Sequence, residues 1–108
     1  MSYELKKDSS GQFRFNLKAG NGEVILSSES YLQKESALAG IDSARTNGPS
    51  DANYERKTSN ADEPYFVLKA QNGQTIGRSE MYSSAAARDN GIKSVQTNCT
   101  STTIKDLT

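Results

Sequence analysis

The sequence predicts an α+β fold: two tandem β-β-β-α-β repeats that form one antiparallel sheet, with two helices packed on one face. Three observations predict it. The chain aligns with itself without a gap when Tyr3-Glu4 is laid on Tyr54-Glu55 and carries on to Asn47 over Asn98, with roughly 18 of about 46 pairs identical. Within each copy the hydrophobic period changes from two to that of a helix. Finally, a unit of about 50 residues is marginal as a separate core, so two units sharing a sheet is the stable arrangement. The 108 residues therefore make one domain, with repeat 1 at about 1–48, repeat 2 at about 52–99 and a last strand at about 101–106. The polar join Asn47 to Asn53 contains Gly48-Pro49, a pair that stops a helix.

Tyr3 to Lys7 and Phe13 to Lys18 alternate apolar and polar residues, as strands with one buried face do. Asn21-Gly22 supplies the positive φ of a tight hairpin, and a third strand follows from about Glu23 to Ser27. In the second copy the strands are Tyr54 to Lys57, Tyr65 to Ala70 and Gln74 to Arg78, with Pro64 at a strand start, where a missing N–H does least harm. After Tyr31, residues Ala37, Ile41 and Ala44 fall at i, i+4 and i+7, matched by Arg88, Ile92 and Val95. Ser83 is the expected N-cap of the second helix, and Ser30 with Gln33 has capping-box spacing for the first. Gly40 and Gly91 stand in mid-helix, where glycine costs about 1 kcal/mol relative to alanine; its presence in both copies predicts a close approach of each helix to the sheet or to the other helix. Thr102 to Lys105 reads as a closing strand.

Composition limits the chemistry. There is no histidine, so no Ser/His or Cys/His pair and no imidazole ligand or base. Mean hydropathy is −0.75, and Leu, Ile, Val and Phe supply only about 18 positions, a fraction close to that of disordered chains. Zero net charge and five tyrosines oppose disorder, since nothing expands the chain and the rings add buryable surface. The longest apolar run is Val24-Ile25-Leu26, far short of a membrane span. A lone Cys99 closes no intrachain disulfide and Met1-Ser2-Tyr3-Glu4 is not a signal segment, so the expected location is the cytoplasm, where Asn98-Cys99-Thr100 meets no glycosyl transferase.

The doubled Phe-x-Leu-Lys-Ala-x-Asn-Gly at Phe15 and Phe66, the Ser-Glu-x-Tyr at Ser28 and Ser79, and the Gly-Ile-x-Ser at Gly40 and Gly91 resemble the YegP-like family of small bacterial proteins. The resemblance covers nearly the whole chain. It implies tandem β-β-β-α-β units in a single sheet, with the C-terminal strand of each unit exchanged onto the other. Single-unit relatives would dimerise, so this chain resembles a fused dimer, a monomer with internal pseudo-two-fold symmetry. The family implies no chemistry. The departures, Cys99 for Gly48 and Arg88 for Ala37, are expected to leave the framework untouched.

No catalytic constellation emerges. Gly20-Asn21-Gly22 precedes a strand and lacks the Lys-Ser/Thr of a nucleotide loop, so it reads as a turn. Ser28-Glu29 and Ser79-Glu80 put a hydroxyl beside a carboxylate just before a helix, where capping explains both. Tyr31 and Tyr82 read as core, Cys99 as a buried thiol at helical spacing from Ile92 and Val95, and Asp62-Glu63 as a solvated turn rather than a metal site.

Alternation separates two faces. If Tyr3, Leu5, Phe15, Leu17, Tyr54, Phe66 and Leu68 face the helices, the opposite face carries Glu4, Lys6, Arg14, Asn16, Lys18, Glu55, Lys57, Tyr65, Val67 and Lys69, flanked by Val24 and Leu26. Its five cations outnumber its two anions in a chain with no net charge. Lys6, Arg14, Lys18, Lys57, Tyr65 and Lys69 are thus the candidate binding face. Such faces bind single-stranded nucleic acid through phosphate pairing and base stacking, but solvated antiparallel faces are also lysine-rich, and a pI of 6.2 opposes strong DNA binding. The expected function is a small non-enzymatic cytosolic binding or protein-interaction module, with weak single-stranded nucleic-acid binding as the alternative. No cofactor or metal is expected.

Overall fold

The computed structural model describes residues 1–108. In chain order the elements are strands β1 (Ser2–Lys7), β2 (Phe13–Lys18) and β3 (Val24–Ser28), helix α1 (Lys34–Asn47), a 3-10 turn (Asp51–Asn53), strands β4 (Tyr54–Thr58), β5 (Pro64–Lys69) and β6 (Thr75–Arg78), helix α2 (Ala85–Asn98) and strand β7 (Ile104–Asp106). One seven-stranded sheet runs in the order β4-β5-β6-β3-β2-β1-β7, and both helices cover one face. No helix is long and apolar enough to cross a membrane.

All seven residues expected to face the helices lie in the core, joined there by Ile41 and Ala44 of α1 and Ile92 and Val95 of α2. Each fully buried large side chain contributes about 1.5–3 kcal/mol. The aromatic packing repeats. Tyr3 meets Phe15 edge-on at 5.8 Å and Phe15 stacks on Tyr31 at 6.4 Å; Tyr54 meets Phe66 edge-on at 5.6 Å and Phe66 stacks on Tyr82 at 6.2 Å. The mid-helix glycines make room for this stack. A Cβ on Gly40 would lie 2.5 Å from Tyr31 Oη and 2.9 Å from Phe15 Cε2, and one on Gly91 would overlap Tyr82. The close approach predicted for these helices is therefore to the sheet, at Phe15 and Phe66, and to a tyrosine ring of the same repeat.

The helix starts differ from expectation. The hydroxyl that caps α2 is that of Ser84, which accepts from Ala87 N at 3.1 Å, not that of Ser83. Helix α1 begins after Gln33 with no side-chain cap, so the Ser30–Gln33 capping box does not form. In the two Asn-Gly hairpin turns the expected positive φ falls on Gly22 and Gly73, at 84° and 85°, while Asn21 and Asn72 accept from the backbone N–H two residues on. These turns feed a register shift between Leu17 and Lys18 and its copy between Leu68 and Lys69. A shift of this kind breaks strict alternation. Ile25 and Leu26 are consequently both core residues, and Leu26, expected beside the open face, is fully buried opposite Leu17.

The strand that follows each helix docks on the other half of the sheet. After α1 the chain turns through Asp51–Asn53 into β4, which pairs with β5; after α2 it reaches β7, which pairs with β1. Tyr3 Oη donates to the Cys99 carbonyl at the end of α2 at 2.6 Å, and Tyr54 Oη to the Gly48 carbonyl at the end of α1 at 2.8 Å. The β1–β7 pairing is parallel and every other pairing is antiparallel.

Only one outer edge carries an added strand, and the side chains explain why. Where repeat 1 has Leu5, Ala37 and Leu38, repeat 2 has Arg56, Arg88 and Asp89. The apolar edge needs cover, and Ile104 of β7 packs against that core while Asp106 pairs with Lys34 of α1. At the other edge Arg56 bridges Asp51 at 3.1 Å and Asp89 at 3.2 Å, and Arg88 contacts the same Asp89 oxygen. Arg88 therefore does alter the framework: it belongs to a charged edge that discourages strand addition.

Candidate binding site on the open sheet face

The face turned away from the helices is organised by cross-strand partners. Glu4, Asn16, Ser27, Arg78, Val67 and Glu55 follow one another across β1, β2, β3, β6, β5 and β4. Ser27 and Arg78 occupy equivalent positions, just before the two Ser-Glu pairs, and they face each other at the centre of the sheet. A pseudo-two-fold axis therefore passes between them.

The six predicted residues all reach this face but not as one patch. Lys18 pairs with the buried Glu4 at 3.1 Å, while Lys69 at 2.6 Å and Lys57 at 3.3 Å share Glu55. These two lysines, Lys69 first, hold the Glu55 carboxyl below its ordinary range. Lys6 and Arg14 face each other across β1 and β2 with no acidic partner. Tyr65 is half-buried opposite Lys57, and Val67, expected to be exposed, is 7% accessible.

Lys6 and Arg14 border a depression of about 380 Å³ that spans the pseudo-axis. Lys7 and Arg78 line it too, with Asn16, Ser27, Ser79, Asp8 and Glu80. Arg14 also donates to the Ser28 carbonyl at 3.3 Å. With its amide oriented to satisfy both ends, Asn16 donates to Ser27 Oγ at 3.1 Å and accepts from Lys6 Nζ at 3.3 Å. Asp8 is engaged by its own turn, accepting from the Ser10 hydroxyl and from the Ser10 and Gln12 N–H groups, chiefly the hydroxyl holding its carboxyl below the usual range. Arg78 is the residue that alternation missed. The register shift that buried Leu26 also sets which residues of β3 and β6 face outward, and the signal for it lies in the Asn-Gly turns.

The remaining singled-out residues have structural positions. The Ser28 hydroxyl accepts from Phe15 N and donates to the Glu29 carbonyl, both at 2.8 Å; Ser79 does the same with Phe66 N at 3.0 Å and the Glu80 carbonyl at 2.8 Å. The two serines thus fill gaps in the backbone ladder instead of capping helices. Tyr31 and Tyr82 are the rings under the mid-helix glycines. Cys99 is fully buried, and burial raises its thiol pKa. Gly20-Asn21-Gly22 is a hairpin turn, Asp62 sits in a turn at φ 60°, and no three His, Cys, Asp or Glu side chains gather as a metal site would need.

This architecture defines a small tandem-repeat α+β protein with a polar open sheet. The chain belongs to the family described as a domain of unknown function, DUF1508, which matches it twice, over residues 8–55 and 59–106. It is 61% identical over 106 residues to a UPF0339 protein of Shewanella oneidensis, covering 98% of this chain and 96% of that one, and 58% identical to the UPF0339 protein YegP of Yersinia pestis, covering 98% and 95%. Among solved structures, the Shewanella oneidensis UPF0339 protein superposes with TM-score 0.92 over 97% of this chain and 89% of that one. The Escherichia coli yegP protein of unknown function, 54% identical, gives 0.93 over 97% and 90%. None of these names carries an enzymatic activity.

Proposed function

We propose that this protein is a small non-enzymatic binding module of the cytoplasm, a fused pseudo-dimer acting as a monomer, that takes its partner on the open sheet face at the pseudo-axis. One observation carries the reading: cations without an acidic partner concentrate there. Lys6, Arg14 and Arg78 line one depression, with Lys7 at its border and its ammonium over the Phe13 ring, whereas Lys18, Lys34, Arg45, Arg56, Lys57, Lys69 and Arg88 are all in ion pairs. A buried lone cysteine fits a reducing compartment. Single-stranded nucleic acid is the second reading, favoured by Tyr65, which stands diagonal to Arg78 on the same face. It ranks second because a strand-following groove needs a run of free cations and several rings, and Lys18, Lys57 and Lys69 are tied to Glu4 and Glu55.

The test is a ¹⁵N-HSQC titration with an oligo-aspartate peptide and, separately, with a mixed-sequence single-stranded oligonucleotide at low and physiological salt. Peptide shifts confined to Lys6, Arg14, Ser27 and Arg78 are expected. Salt-sensitive oligonucleotide shifts abolished by Lys18→Glu with Lys69→Glu would promote the second reading. A face that stays silent to both removes the module as described.

A further inference from the structure

We propose that Lys6, Arg14 and Arg78 form a receptor for a phosphate monoester whose organic body rests on Tyr65. The inference builds on the open face as the binding surface and names the chemistry of its ligand. Of the chain's 13 Lys and Arg residues, six have no ion pair, and four of those six line this one depression. That is not how a solvated face distributes its charge; Lys93 and Lys105 alone lie elsewhere.

Three of these cations, Lys6, Arg14 and Arg78, are set against two carboxylates, Asp8 and Glu80, because Lys7 holds its ammonium over the Phe13 ring at 5.3 Å from the centroid; the depression therefore carries a surplus of one positive charge. A phosphate monoester near neutral pH is close to a dianion. Arg78 is also the one guanidinium in the molecule without a protein hydrogen bond or ion pair, since Arg14 reaches Ser28, Arg45 reaches Ser101 and Asp42, Arg56 reaches Asp51 and Asp89, and Arg88 reaches Asp89. Its planar fork is the donor geometry that phosphate oxygens take in pairs. Ser27 Oγ accepts from Asn16, which leaves its proton free to donate.

Asymmetry between the repeats sets the rest. Arg14 and Asn16 in repeat 1 are replaced by Tyr65 and Val67 in repeat 2. Val67 is the cross-strand partner of Arg78, and Tyr65 lies two residues further along the same face, within the diagonal reach of a long or aromatic side chain. Arg78 thus has the Lys6–Arg14 pair across the axis on one side and one aromatic ring diagonal to it on the other, the arrangement that suits a charged group on a flat or apolar body. A repeated stretch of nucleic acid would need this pattern more than once.

The experiment is an HSQC titration with phenyl phosphate, with phenol and inorganic phosphate as separate arms. Saturable shifts at Lys6, Arg14, Ser27, Arg78 and Tyr65 are expected from phenyl phosphate. Inorganic phosphate should move the cationic residues without Tyr65, and phenol should move none. Arg78→Ser places at this position the residue its equivalent already carries, so the fold tolerates it; affinity should fall about tenfold with an unchanged thermal midpoint. Adenosine monophosphate and a neutral peptide bearing one phosphotyrosine distinguish the carriers of the group, the tighter binder naming the source. Non-saturating shifts, equal response to phenol, or undiminished binding by the Arg78→Ser protein would overturn the assignment. Should the phosphate esters fail while oligo-aspartate still perturbs Lys6, Arg14 and Arg78, the phosphate assignment falls and the binding face stands. Silence to both ligands ends both.

Discussion

Gly40→Ala tests why a glycine stands in the middle of each helix, because two known effects oppose each other there and the structure decides the sign. In an exposed helix interior the change would stabilise by about 1 kcal/mol through backbone entropy and propensity. At Gly40 the new methyl would lie 2.5 Å from Tyr31 Oη, 3.0 Å from Tyr31 Cζ and 2.9 Å from Phe15 Cε2. Phe15 is fully buried and held between Tyr3 and Tyr31, so it cannot retreat. Overpacking of this kind typically costs about 1–3 kcal/mol. The net is a destabilisation of up to about 2 kcal/mol, and Gly91→Ala should cost more because the methyl would overlap both Oη and Cζ of Tyr82. Equilibrium urea unfolding followed by far-UV circular dichroism measures this. Gly20→Ala is the control, since nothing lies within 4 Å of a Cβ there. If Gly40→Ala raises the midpoint as an exposed helical site would, the close-approach argument is wrong.

Tyr3→Phe and Tyr54→Phe each remove a buried hydroxyl bond to the end of the opposite helix; each should cost about 1–2 kcal/mol in the same assay, and no loss would mean that water replaces the bond. Asp106, held near about 2 chiefly by Lys34, has a folded-state pKa depressed from 3.8, so its contribution to anchoring β7 is complete above that value and is lost as pH falls through about 2; a carboxyl titration by NMR with a midpoint near 3.8 would contradict the pairing. Cys99, with its thiol raised by burial, should react with a disulfide reagent only as fast as the chain opens, its rate rising with urea; prompt reaction in the folded state would show the thiol to be accessible.

The sequence already exposes the strands, the helices and the inward residues, because period two and period 3.6 are local signals and each appears twice. What escaped it was non-local or one residue wide. The single-residue register shift beside Leu17 moved Leu26 from the open face to the core, since in a strand one inserted residue exchanges the two faces. Pairing of Lys18 with Glu4 and of Lys57 and Lys69 with Glu55 depends on which side chains meet on the folded sheet, and so half the predicted patch is neutralised in a way composition cannot reveal. The parallel docking of β7 was hidden for the same reason: its cause is the apolar edge at Leu5, Ala37 and Leu38, which is visible only when that edge is compared with Arg56, Arg88 and Asp89.

The contacts between the halves explain how a duplicated chain could carry a single asymmetric site such as the one proposed. A Cβ on Gly77 would lie 3.1 Å from Leu26 Cγ and 2.6 Å from the Ser27 carbonyl, and Leu26 is the residue equivalent to Gly77. A Cβ on Gly48 would lie 2.5 Å from Cys99 Sγ, and Cys99 is equivalent to Gly48. At both places one repeat supplies the bulk and the other the space. Two leucines or two cysteines would overlap there, while two glycines would leave voids whose cost scales with their volume. Identical separate subunits would have to place the same residue on both sides of such a contact; one continuous chain does not. The same freedom puts Arg78 opposite Ser27 on the open face, so that Lys6 and Arg14 gain a guanidinium across the axis while the equivalent Lys57 and Tyr65 face a serine. Exchanging the pair, Ser27→Arg with Arg78→Ser, should therefore move anion binding away from Lys6 and Arg14 towards Lys57 at unchanged stability, an outcome that chemical-shift mapping reads directly.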